Sequence, residues 1–178
     1  VLAALVIAGV GSGAASVARA DTVVPQPVPK LGPLAPALIL PLIFEVDALD
    51  GSESTSQQGS STTVRLSTDV LFAFGSADLS GRASAQIDDA AAKLRGVTGR
   101  VSVTGYTDSV GSDAVNIPLS LRRAQAVVAA LAPKVHGVVT LLAAGRGSAD
   151  PVAPNTVDGT DNPAGRAKNR RVEIVFTG

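Results

Sequence analysis

From residue 64 to residue 177 the chain alternates between two hydrophobic periods, and that alternation restricts it to a layered body of strands and helices. Val64, Leu66, Thr68, Val70 and Phe72 share one parity, the spacing of a half-buried strand. Ile87, Ala90, Ala91 and Leu94 then recur at helical spacing, which predicts a helix capped by Ser80 and stopped by Gly96. A second strand is expected over residues 101–106, a loop over 107–118, and a helix over 119–131 with Ala124, Val127, Val128 and Leu131 facing inward. A third strand at 138–144, a polar loop to Asn162 and a helical turn near 164–168 follow. A last strand at 171–177, with Val172, Ile174 and Phe176 on one face, completes the pattern. The fold class implied is α/β, a two-layer body of about four strands with helices over one face.

The first sixty residues read differently. Residues 1–10 are apolar, and Ala18-Arg19-Ala20 precedes Asp21, the pattern of a signal-peptide core and cleavage site, although a basic leading segment and any methionine are missing. An uncut membrane anchor is the alternative, but the apolar run is short against the ~20 residues that ~30 Å of hydrocarbon requires. Cleavage after Ala20 would remove one base, Arg19, and no acid. Pro25, Pro27, Pro29, Pro33, Pro36 and Pro41 favour extended chain over helix, so residues 21–60 read as a spacer. Within it a short strand is expected near 42–48 and a stretch of turn character over 50–61; the main domain is expected over 61–178.

With 178 residues and 46% hydrophobic side chains, the chain can bury one ordinary core. Acidic and basic residues balance at 15 each, which argues against a nucleic-acid partner because no broad positive surface is available for phosphates. The absence of cysteine excludes a disulfide framework, thiolate metal sites and lipid attachment through cysteine, and is compatible with export.

Four segments carry a family resemblance. They are Val70-Leu71-Phe72-Ala73-Phe74-Gly75-Ser76-Ala77-Asp78-Leu79, Gly105-Tyr106-Thr107-Asp108-Ser109-Val110-Gly111, Asn116-Ile117-Pro118-Leu119-Ser120-Leu121-Arg122-Arg123-Ala124, and Gly165-Arg166-Ala167-Lys168-Asn169-Arg170-Arg171-Val172-Glu173-Ile174. In that order over residues 64–178 they resemble the OmpA-like peptidoglycan-binding family. The resemblance implies a βαβαβ-type domain that binds the diaminopimelate residue of the peptidoglycan stem peptide without catalysis or cofactor. It implies that Asp108 takes the ligand's ammonium and Arg123 its carboxylate, with Asn116 and Arg170 in support. The family's location implies an exported protein of the cell envelope, at the cell wall, periplasm or outer membrane. Two positions depart from the pattern: Gly75 stands where Asp or Asn is common, and Val115 replaces a frequent aromatic.

The residue chemistry agrees with that assignment. Asp108 follows a strand end and Arg123 lies on the next helix, so a strand-loop-helix fold-back can bring opposite charges to one end of a sheet, as a zwitterionic head group needs. The planar fork of arginine binds carboxylate bidentately. Arg123 lies one turn before Val127, at the border of the buried stripe, whereas Arg122 projects with Gln125 and Ala129 toward solvent. The bland alternative is a structural Asp108–Arg123 ion pair, which at a surface stabilises by ~1 kcal/mol or less.

Other groups carry less. His136, the sole histidine, suggests a surface position and no metal site; Gly145-Arg146-Gly147 suggests a tight turn; Arg166, Lys168, Arg170 and Arg171 suggest a solvated basic loop; and Asp88-Asp89 suggests an exposed helix face. No serine stands in a nucleophile-elbow context, so a wall hydrolase is the weakest reading. A wall anchor of a membrane complex, stator-like and with an uncleaved N-terminal helix, is the other alternative to a simple tether.

Overall fold

The structure, a computed structural model, describes residues 43–47 and 52–178. The signal-peptide and proline-spacer expectations fall outside those residues, apart from the strand near 42–48 and the stretch beyond 52. Twelve elements follow in order. They are β1 (Ile43–Asp47), β2 (Glu53–Gln58), β3 (Ser61–Ser67), α1 (Thr68–Leu71), α2 (Ala83–Lys93), β4 (Gly99–Gly105), α3 (Asp113–Leu131), β5 (Val139–Gly145), β6 (Thr156–Val157), β7 (Thr160–Asp161), α4 (Pro163–Asn169) and β8 (Arg171–Thr177). The main sheet has the order β1-β2-β3-β8-β4-β5, with β6 and β7 forming a separate small hairpin. β8 runs antiparallel to both neighbours, and β4 and β5 are parallel across the α3 crossover.

The mixed α/β fold class is as expected, and the four strands that the periodicity predicts are β3, β4, β5 and β8. Val64, Leu66, Val101, Val103, Val172 and Ile174 form one buried cluster with Ile87, Ala90 and Leu94 of α2 and Ala124, Val127 and Leu131 of α3. Burying a branched aliphatic side chain contributes roughly 1.5–3 kcal/mol, so this cluster is the main source of stability.

Three local expectations are corrected. The turn-like stretch at 50–61 contains a real strand, β2, paired along its length with β3. Its residues, ESTSQQ, are all polar, half-buried over Glu53 to Ser56 and exposed at Gln57 and Gln58, so no alternation announces them. The strand read from Val64 to Phe72 ends at Ser67, where the β8 pairing also ends at Ser67↔Arg171. Burial then changes from every second residue to Thr68, Leu71 and Phe72, the spacing of one helical turn, and Val70 leaves the core. Finally, α3 begins at Asp113, well before the expected residue 119, with the Ser112 carbonyl accepting from the Val115 and Asn116 amides. Pro118 lies inside the helix, forgoing one backbone hydrogen bond, and had suggested a boundary where there is none.

Two glycines fix how closely α3 lies on the sheet. Gly105 and Gly145 are register partners on β4 and β5. A Cβ on Gly105 would stand 2.1 Å from the Ser120 carbonyl oxygen, and one on Gly145 would stand 2.4 Å from the Leu121 amide nitrogen. Only glycine admits this approach, and it brings the middle of α3 beside the strand end from which Asp108 emerges.

Candidate functional site

Asp108 lies three residues beyond β4 and is nearly buried, at 7% exposure. Its Oδ1 accepts from the Val110 amide at 3.0 Å, which turns the loop. Its Oδ2 accepts from Arg170 Nη1 at 2.7 Å and from Arg166 Nη1 at 3.4 Å. The loop is fastened from β5 as well: the Thr107 amide donates to the Gly147 carbonyl, and the Gly147 amide donates to Ser120 Oγ on α3. The turn expected at Gly145-Arg146-Gly147 therefore also buttresses the site.

Along α3, Asn116, Ser120 and Arg123 are buried on the same side as Val127 and Leu131, a polar stretch continuing a hydrophobic stripe. Asn116 Nδ2 donates to the Val110 carbonyl at 3.0 Å, so Asn116 and Asp108 hold the same loop residue from both sides. Arg123 is 6% exposed whereas Arg122 is exposed, the distinction that helical spacing predicts. Arg123 Nε donates to the Ser76 carbonyl at 2.9 Å, and the guanidinium lies over the Phe72 ring, 5.4 Å from its centroid. Among the described residues its Nη groups have no hydrogen-bond partner and no carboxylate pairs with it. The Asp108–Arg123 structural ion pair considered above is not formed: Asp108 pairs with Arg170 and Arg166 instead. Burial lowers the pKa of Arg123, and the nearby Arg170 lowers it too, while the charges of Asp69 and Asp108 oppose that shift.

Arg170 is the hub. Beyond its bond to Asp108, its Nε and Nη2 grip Asp69 Oδ1 and Oδ2 at 2.8 and 2.7 Å. Arg166 similarly holds Asp161 with Nε and Nη2 at 2.8 and 2.7 Å. The result is a line of alternating charge, Asp161–Arg166–Asp108–Arg170–Asp69. The fork on Asp69 first, and then Asp108, raise the Arg170 pKa; Asp161 does the same for Arg166 and has its own carboxyl pKa lowered in return. Arg166, read as part of a solvated basic loop, is thus an ion-pair partner. Asp69 and Asp161 were missed, since no spacing rule connects residue 69 to 170. The β3–β8 pairing and the Thr68 amide bond to the Arg170 carbonyl bring Asp69 to Arg170, whereas Asp161 meets Arg166 five residues along the chain.

A cavity of about 550 Å³ abuts this cluster between residues 52–54, 65–67 and 167–171. Arg170 lines it, but Asp108 and Arg123 do not, so shape alone would point beside the charged site.

A family model described as the OmpA family matches residues 71–170, more than half of the chain. This chain belongs to the OmpA family. The match runs from the last residue of α1 through α4 and so contains Asp108, Asn116, Arg123 and Arg170 of the OmpA-family domain. Outer membrane protein P5 of Haemophilus influenzae is 39% identical over 123 residues, covering 66% of this chain and 35% of that protein. The peptidoglycan-binding protein ArfA of Mycobacterium tuberculosis is 46% identical over 76 residues, 43% of this chain and 22% of ArfA. This chain therefore spans about a third or less of the length of these curated relatives. Among solved structures, the cell wall anchor of the T6SS from Pseudomonas aeruginosa superposes with a TM-score of 0.60 at 31% identity, over 72% of this chain and 90% of that one. The OmpA-family domain has the same architecture as that anchor.

Proposed function

We propose that the domain binds peptidoglycan non-covalently through the free zwitterionic end of diaminopimelate, tethering an exported protein within the cell envelope without catalysing a reaction. Asp108 receives the ammonium, Arg123 receives the carboxylate, Asn116 holds the loop that presents Asp108, and Arg170 orients the Asp108 carboxylate. One observation carries this reading: Arg123 is a nearly buried guanidinium with no carboxylate paired to it among the described residues, beside an acid that is nearly as buried. A buried, unpaired charge is costly, and an incoming carboxylate supplies the missing partner. The printed descriptions of ArfA as peptidoglycan-binding and of the Pseudomonas structure as a cell wall anchor favour the same partner.

Calorimetry with four stem-peptide fragments tests it. The fragment with a free diaminopimelate end binds. The amidated form is weaker because a neutral amide replaces a bidentate anion, the cross-linked form because its ammonium has become an amide, and the lysine form because its carboxylate is absent. Equal affinity for all four overturns the zwitterion reading. A turbidity assay on purified sacculi stays flat if the domain only binds; a falling trace refutes the non-catalytic reading.

A further inference from the structure

Arg170 serves two carboxylates unequally. Its Nε and Nη2 edge makes two parallel bonds to Asp69, and only Nη1 remains for Asp108. A guanidinium released from Asp69 would be free to turn that edge onto Asp108. A forked pair there would occupy both oxygens and compete with any ammonium from a ligand. The charge count matters equally. Asp69, Asp108 and Asp161 balance Arg123, Arg166 and Arg170, which suits a head group of zero net charge. Losing one of these carboxylates leaves the site net positive and favours a simple anion.

We propose that Asp69 is a specificity-determining residue: by holding the forked edge of Arg170 it keeps Asp108 available to an ammonium, so that the site selects a zwitterion over a plain carboxylate. This deepens the peptidoglycan reading above and rests on it. The backbone supports the role independently of the side chain. Asp69 stands in the single turn α1, anchored by the Thr68 amide to the Arg170 carbonyl at 2.9 Å and by the adjoining β3–β8 register. The Asp69 side chain itself is half-exposed at 49%, so it can change without opening the core. Its charge also acts on Arg123, where it is the largest influence opposing the effect of burial.

The test compares wild type, Asp69→Asn and Asp69→Glu by calorimetry, after thermal melts show all three folded. Asp69→Ser replaces Asp69→Asn should the amide be poorly accommodated. The probes are a stem-peptide fragment ending in free diaminopimelate, the same fragment with that amine acetylated, and the same fragment with that carboxylate amidated. For Asp69→Asn, affinity for the zwitterion falls by about tenfold while the acetylated anion changes by less than about twofold or tightens, because the loss concerns a charged hydrogen-bond network on the ammonium side. Asp69→Glu restores most of the discrimination. A uniform loss over all three probes, as a merely structural role would produce, overturns the proposal, and so does unchanged discrimination. Arg123→Met separates the two readings. If it binds the zwitterion as wild type does, the functional reading fails and this inference fails with it. If it loses binding while Asp69→Asn keeps full discrimination, only this inference fails.

Discussion

Replacing Arg123 by methionine separates what this residue does for the fold from what it does for a ligand. The substitution keeps an unbranched side chain in the slot beside Phe72 and removes the charge. It removes the Nε bond to the Ser76 carbonyl at 2.9 Å, worth about 1.5–3 kcal/mol for a charged donor, and the contact with Phe72, worth about 0.5–2 kcal/mol. Against this stands the release of a guanidinium held at 6% exposure without an ion-pair partner among the described residues. Exchanging buried ionic groups for apolar ones of similar volume is often neutral or stabilising by about 1–4 kcal/mol. The losses sum to about 2–5 kcal/mol and the gain is about 1–4 kcal/mol, so a net destabilisation of about 1 kcal/mol is expected, a fall in Tm of about 3–5 °C for a unit of this length. Binding has no such compensation. Loss of one partner from a desolvated charge pair costs about 2–5 kcal/mol, roughly 30-fold to several-thousand-fold in Kd. Thermal melts and co-sedimentation with purified sacculi read the two effects on the same samples, with Arg122→Ala as the near-neutral surface control. A folded Arg123→Met protein that co-sediments normally would falsify the site. A fall in Tm beyond about 10 °C would show instead that the guanidinium is a structural strut.

Gly105→Ala places a methyl group against the Ser120 carbonyl at 2.1 Å, so α3 must lift; we expect a loss of about 1–3 kcal/mol by urea melt together with weakened wall binding, and an unchanged midpoint would mean the helix is not held by this contact. Tyr106 has its pKa raised above the ordinary 10.0 by burial first and by Glu173 second; because the folded value exceeds the unfolded one, its stabilisation is intact below about pH 10 and is lost as pH rises through the folded value. Tyr106→Phe therefore moves the alkaline unfolding midpoint upward in a circular-dichroism titration, and an unmoved midpoint refutes the assignment. Gly75→Asn is expected to cost no more than about 1 kcal/mol, because φ is +68° and the space around a new Cβ is open, while it adds an acceptor next to Ser76; calorimetry should show tighter binding of ammonium-bearing fragments, and weaker binding would rule out a supporting role there. Removing residues 1–60 deletes β1 and β2 and opens the edge of β3, so this protein should melt lower and associate more than one retaining residues 43–178; equal melts and equal light scattering would make the two outer strands dispensable.

The amino-acid sequence by itself determined the alternation of strand and helix, the inward face of α3 and the preference for Arg123 over Arg122. The physical reason is that burial on a strand repeats every two residues and on a helix every three to four, so local periodicity records which side chains face the core. The family resemblance carried by four ordered motifs also singled out Asp108, Asn116, Arg123 and Arg170 as candidates. What it did not disclose depends on contacts between distant segments. β2 has no apolar alternation and is a strand because β3 offers it a partner. The chain after Ser67 changes period within four residues, and Pro118 concealed six residues of helix that its neighbours sustain. Asp69 and Arg170 stand 101 residues apart, and Arg170 and Asp108 stand 62 apart; the antiparallel pairing of β8 with both β3 and β4 brings these groups together. The acid of the site thus acquired two arginines as neighbours and Arg123 was left without a carboxylate among the described residues, a distribution of partners that only tertiary packing could decide.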